Sequence, residues 1–188
     1  MCVGGIDGVG KTTLLQGHVR DHEPRDVQLT GSSVVRALIA PATVEDFDRW
    51  TAARREEVRA AAIAALRTKR EAATGRLLVD GHFTLRNRIT GRVEPIFTEE
   101  DRAFYDALLL VEAPAETIAS WRRADTRPRR DESLAGIEEH LVAERAEGRR
   151  LAEAMKVPFA IVASTSMEVR QPELERFLAA HAALDGAA

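Results

Sequence analysis

The chain has 188 residues, a net charge of −3 with 30% charged residues, and one cysteine. That length suits one well-buried core, so a single domain over 1–188 is expected. The near-balanced charge gives no bulk electrostatic case for a nucleic-acid or membrane partner. One cysteine excludes a disulfide framework and a Cys-rich zinc site, and no run of about 18 apolar residues could span a bilayer. With no charged-then-apolar leader before the first motif, a cytoplasmic protein is expected.

Met1-Cys2-Val3 reads as a first strand with Cys2 filling core. Fewer residues precede the first glycines than the five or six of a usual buried strand, so this strand is either clipped or begins upstream. Gly5-Ile6-Asp7-Gly8-Val9-Gly10-Lys11-Thr12 then matches the phosphate-binding pattern G-x-x-x-x-G-K-T. Its glycines turn successive backbone N–H groups toward the phosphates of a nucleotide. Lys11 is expected to touch the β- and γ-phosphates and little else, and the Thr12 hydroxyl is a Mg²⁺ ligand. Thr13-Leu14-Leu15 opens a helix over about 10–20, the strand–loop–helix setting the motif requires.

After a strand at Val27–Leu29, Thr30-Gly31-Ser32-Ser33 caps a helix over 32–39 that carries Arg36. A long helix over 44–73 follows. Its stripe Val44, Phe47, Trp50, Val58, Ala62 and Leu66 reads as ordinary amphipathic packing, while the arm it builds is where a second substrate could face the γ-phosphate. Leu77-Leu78-Val79 is an apolar strand ending in Asp80-Gly81-His82. Asp80 reads as the partner of Thr12 at Mg²⁺, against the alternative of plain Asp-Gly turn chemistry, and His82 reads as a turn cap.

Further along come a helix at 99–105, a strand at Ala107–Val111, a helix at 114–123, a helix at 133–155, a strand at Phe159–Val162 and a helix at 171–183. Pro114, Pro158 and Pro172 are expected at element edges. Alternating strands and helices predict a parallel sheet covered by helices, with ligands beyond the strands' carboxyl ends. The stretch Arg122 to Asp131 holds five arginines and no lysine. Planar guanidinium groups fork onto phosphate oxygens, so this reads as a catalytic lid over about 122–132, with a solvated charged junction and an RNA-binding arm as the alternatives.

These parts, in this order, resemble the nucleoside-monophosphate kinases, most of all the archaeal-type adenylate kinases, over nearly the whole chain. The resemblance implies an α/β, three-layer phosphate-loop NTPase fold: a five-stranded parallel sheet flanked by helices, with a short lid and a helical acceptor arm at about 31–73. It implies ATP and Mg²⁺ as cofactors and transfer of the ATP γ-phosphoryl to AMP or a related nucleoside monophosphate. Gly8, Val9, Gly10, Lys11, Thr12 and Thr13 would bind the donor phosphates, Arg123, Arg127, Arg129 and Arg130 would form the lid, and Arg36 would hold the acceptor phosphate. The loop Ala163-Ser164-Thr165 would line the donor adenine, with Thr12 and Asp80 at the metal.

Two features depart from that family. Asp7 stands where a proline is usual and looks like the thymidylate kinases, whose Asp-Arg-Tyr-like motif is absent here. A carboxylate beside the γ-phosphate could take a proton from a hydroxyl acceptor or hold a metal-bound water. The alternatives are therefore a small-metabolite kinase on the same scaffold and an ATP-hydrolysing switch or assembly factor. The sequence allows a homo-oligomer, and it lacks the Asn-Lys-x-Asp motif of GTPases.

Overall fold

The structure, a computed structural model, describes residues 1–22, 25–87, 89–125 and 133–181. Five strands, β1 (Cys2–Gly4), β2 (Val27–Thr30), β3 (Leu77–Asp80), β6 (Leu108–Val111) and β7 (Phe159–Val162), form one parallel sheet in the order β2-β3-β1-β6-β7. Side chains alternate cleanly between its faces. Val3, Leu78, Leu109 and Val111 point to one side and pack on Leu14 and Leu15 of α1 (Lys11–His22), Ile118 of α6 (Ala115–Ala124) and Leu174 of α8 (Met167–Ala180). Cys2, Val79, Leu108 and Leu110 point to the other and meet Ile63 and Leu66 of α4 (Ala52–Ala72), Phe104 of α5 (Glu99–Phe104) and Leu151 of α7 (Leu134–Met155). Each such buried side chain contributes about 1.5–3 kcal/mol relative to exposure. Burial also pushes the Cys2 thiol's pKa up, which suits core filling and not reactivity.

β1 is only three residues long, yet it is paired on both sides. Val3 is in register with Asp80 of β3 and with Leu109 of β6. Because all five strands run the same way, the segments after Gly4, Thr30, Asp80, Val111 and Val162 emerge along one edge of the sheet, where ligands of open α/β sheets bind.

Three expectations change. The helix expected over 44–73 is two helices, α3 (Val44–Arg49) and α4, because Trp50 turns extended and Thr51 restarts the chain by accepting the Arg54 N–H. Thr43 and Asp46 form a capping box that starts α3, and the Arg54 guanidinium lies 3.8 Å above the Trp50 ring, bracing the break. Pro172 lies inside α8, not at its edge, since that helix begins at Met167. An unanticipated antiparallel hairpin, β4 (Thr84–Arg86) with β5 (Val93–Pro95), follows β3. Arg86 braces it against α7 through the Gly136 carbonyl and Glu139. The remaining helix, α2 (Gly31–Ile39), packs on α4.

The hairpin hangs from the Phe83 ring, which is clamped between β1 and α7. A Cβ on Gly4 would lie 2.5 Å from that ring and a Cβ on Gly148 would lie 2.7 Å from it. With both sides closed, the ring has nowhere to go. Gly148→Ala should therefore cost stability despite alanine's better helix propensity, by about 1–2 kcal/mol, because overpacking outweighs a gain of at most about 1 kcal/mol. A lowered urea midpoint checks this; a raised midpoint would show a mobile ring.

Candidate active site

The turn between β1 and α1 is held open by glycines at positive φ, including Gly8 at 82° and Gly10 at 92°. Gly10 is required twice over, since a Cβ there would also lie 2.8 Å from Arg170 Nη1. Lys11 is buried, and its Nζ donates to the Gly5 carbonyl at 2.6 Å and the Ile6 carbonyl at 3.3 Å while lying 3.7 Å from Asp80 Oδ1. It is thus folded onto the loop and paired, contrary to the expectation that it contacts little besides phosphate. Thr12 Oγ1 donates to Asp80 Oδ2 at 2.5 Å. Position 80 reaches position 12 because β3 is the direct neighbour of β1 in the sheet.

Two buried side chains that the sequence did not single out fix this loop. Glu144 of α7 is fully buried, and its Oε1 accepts the N–H groups of Gly5 (2.9 Å) and Phe83 (2.8 Å). Its Oε2 accepts the Thr84 N–H at 2.6 Å and the Thr84 hydroxyl at 2.5 Å. One carboxylate therefore locks the start of the phosphate loop to the segment after β3. Arg170 of α8, equally buried, spreads its guanidinium over three carbonyls: Val9 at 2.7 Å, Glu112 at 2.9 Å and Ser164 at 2.5 Å. It joins the loops after β1, β6 and β7, and its head lies 5.4 Å from the Trp121 ring centre.

In front of Arg170 lies an open cleft of about 640 Å³ that brings together Gly8, Gly10, Lys11, Thr12, Thr13, Asp80, Arg36 and Thr165. Val9 is different: its side chain is core, and its carbonyl is taken by Arg170. Arg36 is exposed on α2 and donates to Ser32 Oγ at 3.1 Å. The Asp7 side chain is 75% exposed, with Oδ1 3.5 Å from His82 Nε2, and its carbonyl accepts both Arg122 Nε (2.9 Å) and Nη2 (2.6 Å). Arg122, not Arg123, is thus the arginine of α6 that grips the loop; Arg123 is exposed on the last turn. Arg127, Arg129 and Arg130 lie outside the described residues.

Behind the cleft, between the helical arm and the β4–β5 hairpin, is a second cavity of about 210 Å³ with mainly apolar walls, including Phe47, Ile63, Phe97 and Tyr105. Ser32 and His82 line both spaces, so the two meet there. His82 is therefore more than the turn cap that the sequence suggested. Burial, helped by the nearby Lys11 charge, lowers its pKa and keeps the imidazole neutral at pH 7; its Nδ1 is buried with no hydrogen-bond partner among the described residues. Arg55 and Arg59, one turn apart on α4, enter the same cavity, and Arg55 Nε likewise lacks a hydrogen-bond partner there. Burial and the adjacent Arg55 lower the Arg59 pKa, against the pull of Asp101 and Glu94.

The sheet order, the glycine loop with its lysine and threonine, and the carboxylate at the end of the adjacent strand define a phosphate-loop protein. A family model described as an AAA domain matches residues 4–138, most of the chain, and the protein belongs to that family. Among solved structures, shikimate kinase from Bacteroides thetaiotaomicron is similar in fold, with a TM-score of 0.58 at 12% identity, covering 95% of this chain and 96% of that one. No curated protein matches the sequence. Among the described residues, no helix is long and apolar enough to cross a membrane.

Proposed function

We propose that this protein transfers the γ-phosphoryl group of ATP to a nucleoside monophosphate, as an adenylate-kinase-like enzyme. The observation that carries this reading is the junction of the phosphate cleft with the apolar cavity at Ser32 and His82. Donor phosphates would lie on the loop from Gly8 to Thr13, with the donor base toward Thr165. The acceptor phosphate would meet Arg36 on the cleft side, and the acceptor's ring system would enter the apolar cavity, where Arg55, Arg59 and His82 present polar atoms. Holding both partners in line converts a bimolecular transfer into a unimolecular one, and no covalent enzyme intermediate is needed. Lys11 would leave the Gly5 and Ile6 carbonyls for the β- and γ-phosphates. The lid arginines Arg123, Arg127, Arg129 and Arg130 would stabilise charge developing on the transferring group.

The Thr12 hydroxyl and Asp80 carboxylate converge as hard oxygen donors, the kind Mg²⁺ takes, so these residues fit the ion. When bound, it would neutralise charge on the donor phosphates. Asp80→Asn removes the charge that balances it, and should raise the Mg²⁺ concentration for half-maximal rate by about tenfold or more. An unaltered Mg²⁺ titration would leave Asp80 as a partner of Thr12 and Lys11 alone.

A second reading is favoured by the exposed Asp7 carboxylate beside His82: a small hydroxyl-bearing metabolite as acceptor, with Asp7 as the proton acceptor. A bisubstrate analogue, two adenosines joined by five phosphates, separates the two. If the acceptor is AMP, it spans both spaces and should bind at least about a hundredfold more tightly than ATP by calorimetry. Affinity no better than that of ATP would overturn the adenylate-kinase-like reading and favour the hydroxyl acceptor.

A further inference from the structure

At the far end of α1, away from the phosphate cleft, His18 and His22 stand one helical turn apart and Glu175 of α8 faces them. One possible ligand atom from each lies within 4.8 Å of the other two. Their hydrogen bonds set the tautomer of both rings. His18 Nε2 is 2.9 Å from Asp26 Oδ2. The other oxygen of Asp26, Oδ1, accepts the Arg76 N–H at 3.0 Å. With the Asp26 carboxylate accepting, a neutral His18 carries its proton on Nε2 and its lone pair on Nδ1. His18 is 2% exposed, and among the described residues that Nδ1 is buried with no hydrogen-bond partner. His22 Nδ1 is 2.8 Å from the His18 carbonyl, which also only accepts, so His22 keeps its lone pair on Nε2.

We infer that His18 Nδ1, His22 and Glu175 form a binding site for a divalent transition-metal ion of the Zn²⁺ type. Two imidazoles and one carboxylate are a zinc donor set that leaves a fourth position for water. Nitrogen donors also distinguish this site from the all-oxygen pair Thr12 and Asp80, which suits Mg²⁺. The Asp26–His18 contact has the form seen behind metal-bound histidines, where a carboxylate takes the second ring proton and orients the ring. An unsatisfied buried nitrogen is costly, and coordination removes that cost. From Lys11 to His22, α1 runs roughly 16 Å, so the two ions would occupy separate sites. The zinc-type ion would tie α1, which carries Lys11 and Thr12, to α8, which carries Arg170.

Calorimetric titration of metal-stripped full-length protein with zinc sulfate, without nucleotide, tests this. One Zn²⁺ per chain is expected at micromolar affinity or tighter. His22→Ala and Glu175→Gln, both at exposed positions outside the core, should each weaken it by about tenfold or more. Co²⁺ in place of Zn²⁺ should give visible d–d absorption in the wild type that is lost in His22→Ala, and Zn²⁺ should raise the melting temperature of the wild type only. Absence of binding would overturn the proposal. So would affinity unchanged in both variants, or a zinc site abolished by Asp80→Asn, which would place the ion at the phosphate loop.

Discussion

Lys11→Ala is expected to reduce turnover by about 10²–10³, or about 3–4 kcal/mol of barrier, the scale of losing one donor aimed at developing charge in a dry site. The structure adds a second consequence. Lys11 is the cation beside the buried Asp80 and satisfies the Gly5 and Ile6 carbonyls. Its loss leaves Asp80 with Thr12 as its hydrogen-bond partner, and stability should fall by about 1–3 kcal/mol. Steady-state rates at saturating ATP, with a denaturant melt of the same sample, separate the two effects. A folded variant that keeps more than about a tenth of wild-type turnover would contradict the role given to the loop.

The second large effect belongs to Glu144. Removing it strands the N–H groups of Gly5, Phe83 and Thr84 in a buried position, and each unsatisfied donor costs about 1–3 kcal/mol. Glu144→Ala should therefore lose about 3–5 kcal/mol. Glutamine is not a conservative replacement, because both carboxylate oxygens accept two donors and an amide would turn its own NH₂ toward one of those pairs. Glu144→Gln should lose nearly as much, and in conditions where it remains folded its affinity for ATP should drop because Gly5 is no longer anchored. Urea unfolding of both variants checks this; a loss below about 1 kcal/mol in either would show that water replaces the carboxylate.

The residues readable from the sequence are those whose chemistry is local. The phosphate loop is eight consecutive residues, and Asp80 ends an apolar run, so both were visible before any fold was known, as was the alternation that builds the sheet. Glu144 and Arg170 were not, since their partners lie as far as 139 and 161 residues away. A faint signal did exist for Glu144. It falls on the stripe Ile137, His140, Glu144, Gly148, Leu151 of α7, and a carboxylate on an otherwise buried face must have found donors. The break at Trp50 was hidden by a hydrophobic period that continues across it, although Thr51 is a capping residue. The β4–β5 hairpin was missed because its strands are three residues each, too short for alternation to show. The apolar cavity was invisible for another reason: Phe47 and Ala62 were legible as amphipathic packing, and packing residues and cavity walls follow the same pattern.

The most direct test of the central claim follows every phosphorus atom in a single experiment. The wild-type protein is incubated with ATP and Mg²⁺, alone and with a panel of nucleoside monophosphates and hydroxylated metabolites, and read by ³¹P NMR. Acceptor-dependent conversion to ADP and a nucleoside diphosphate, with little inorganic phosphate, is the predicted result. Release of inorganic phosphate at the same rate with and without every acceptor would contradict it, and would make the protein a nucleotide hydrolase on a kinase-like scaffold.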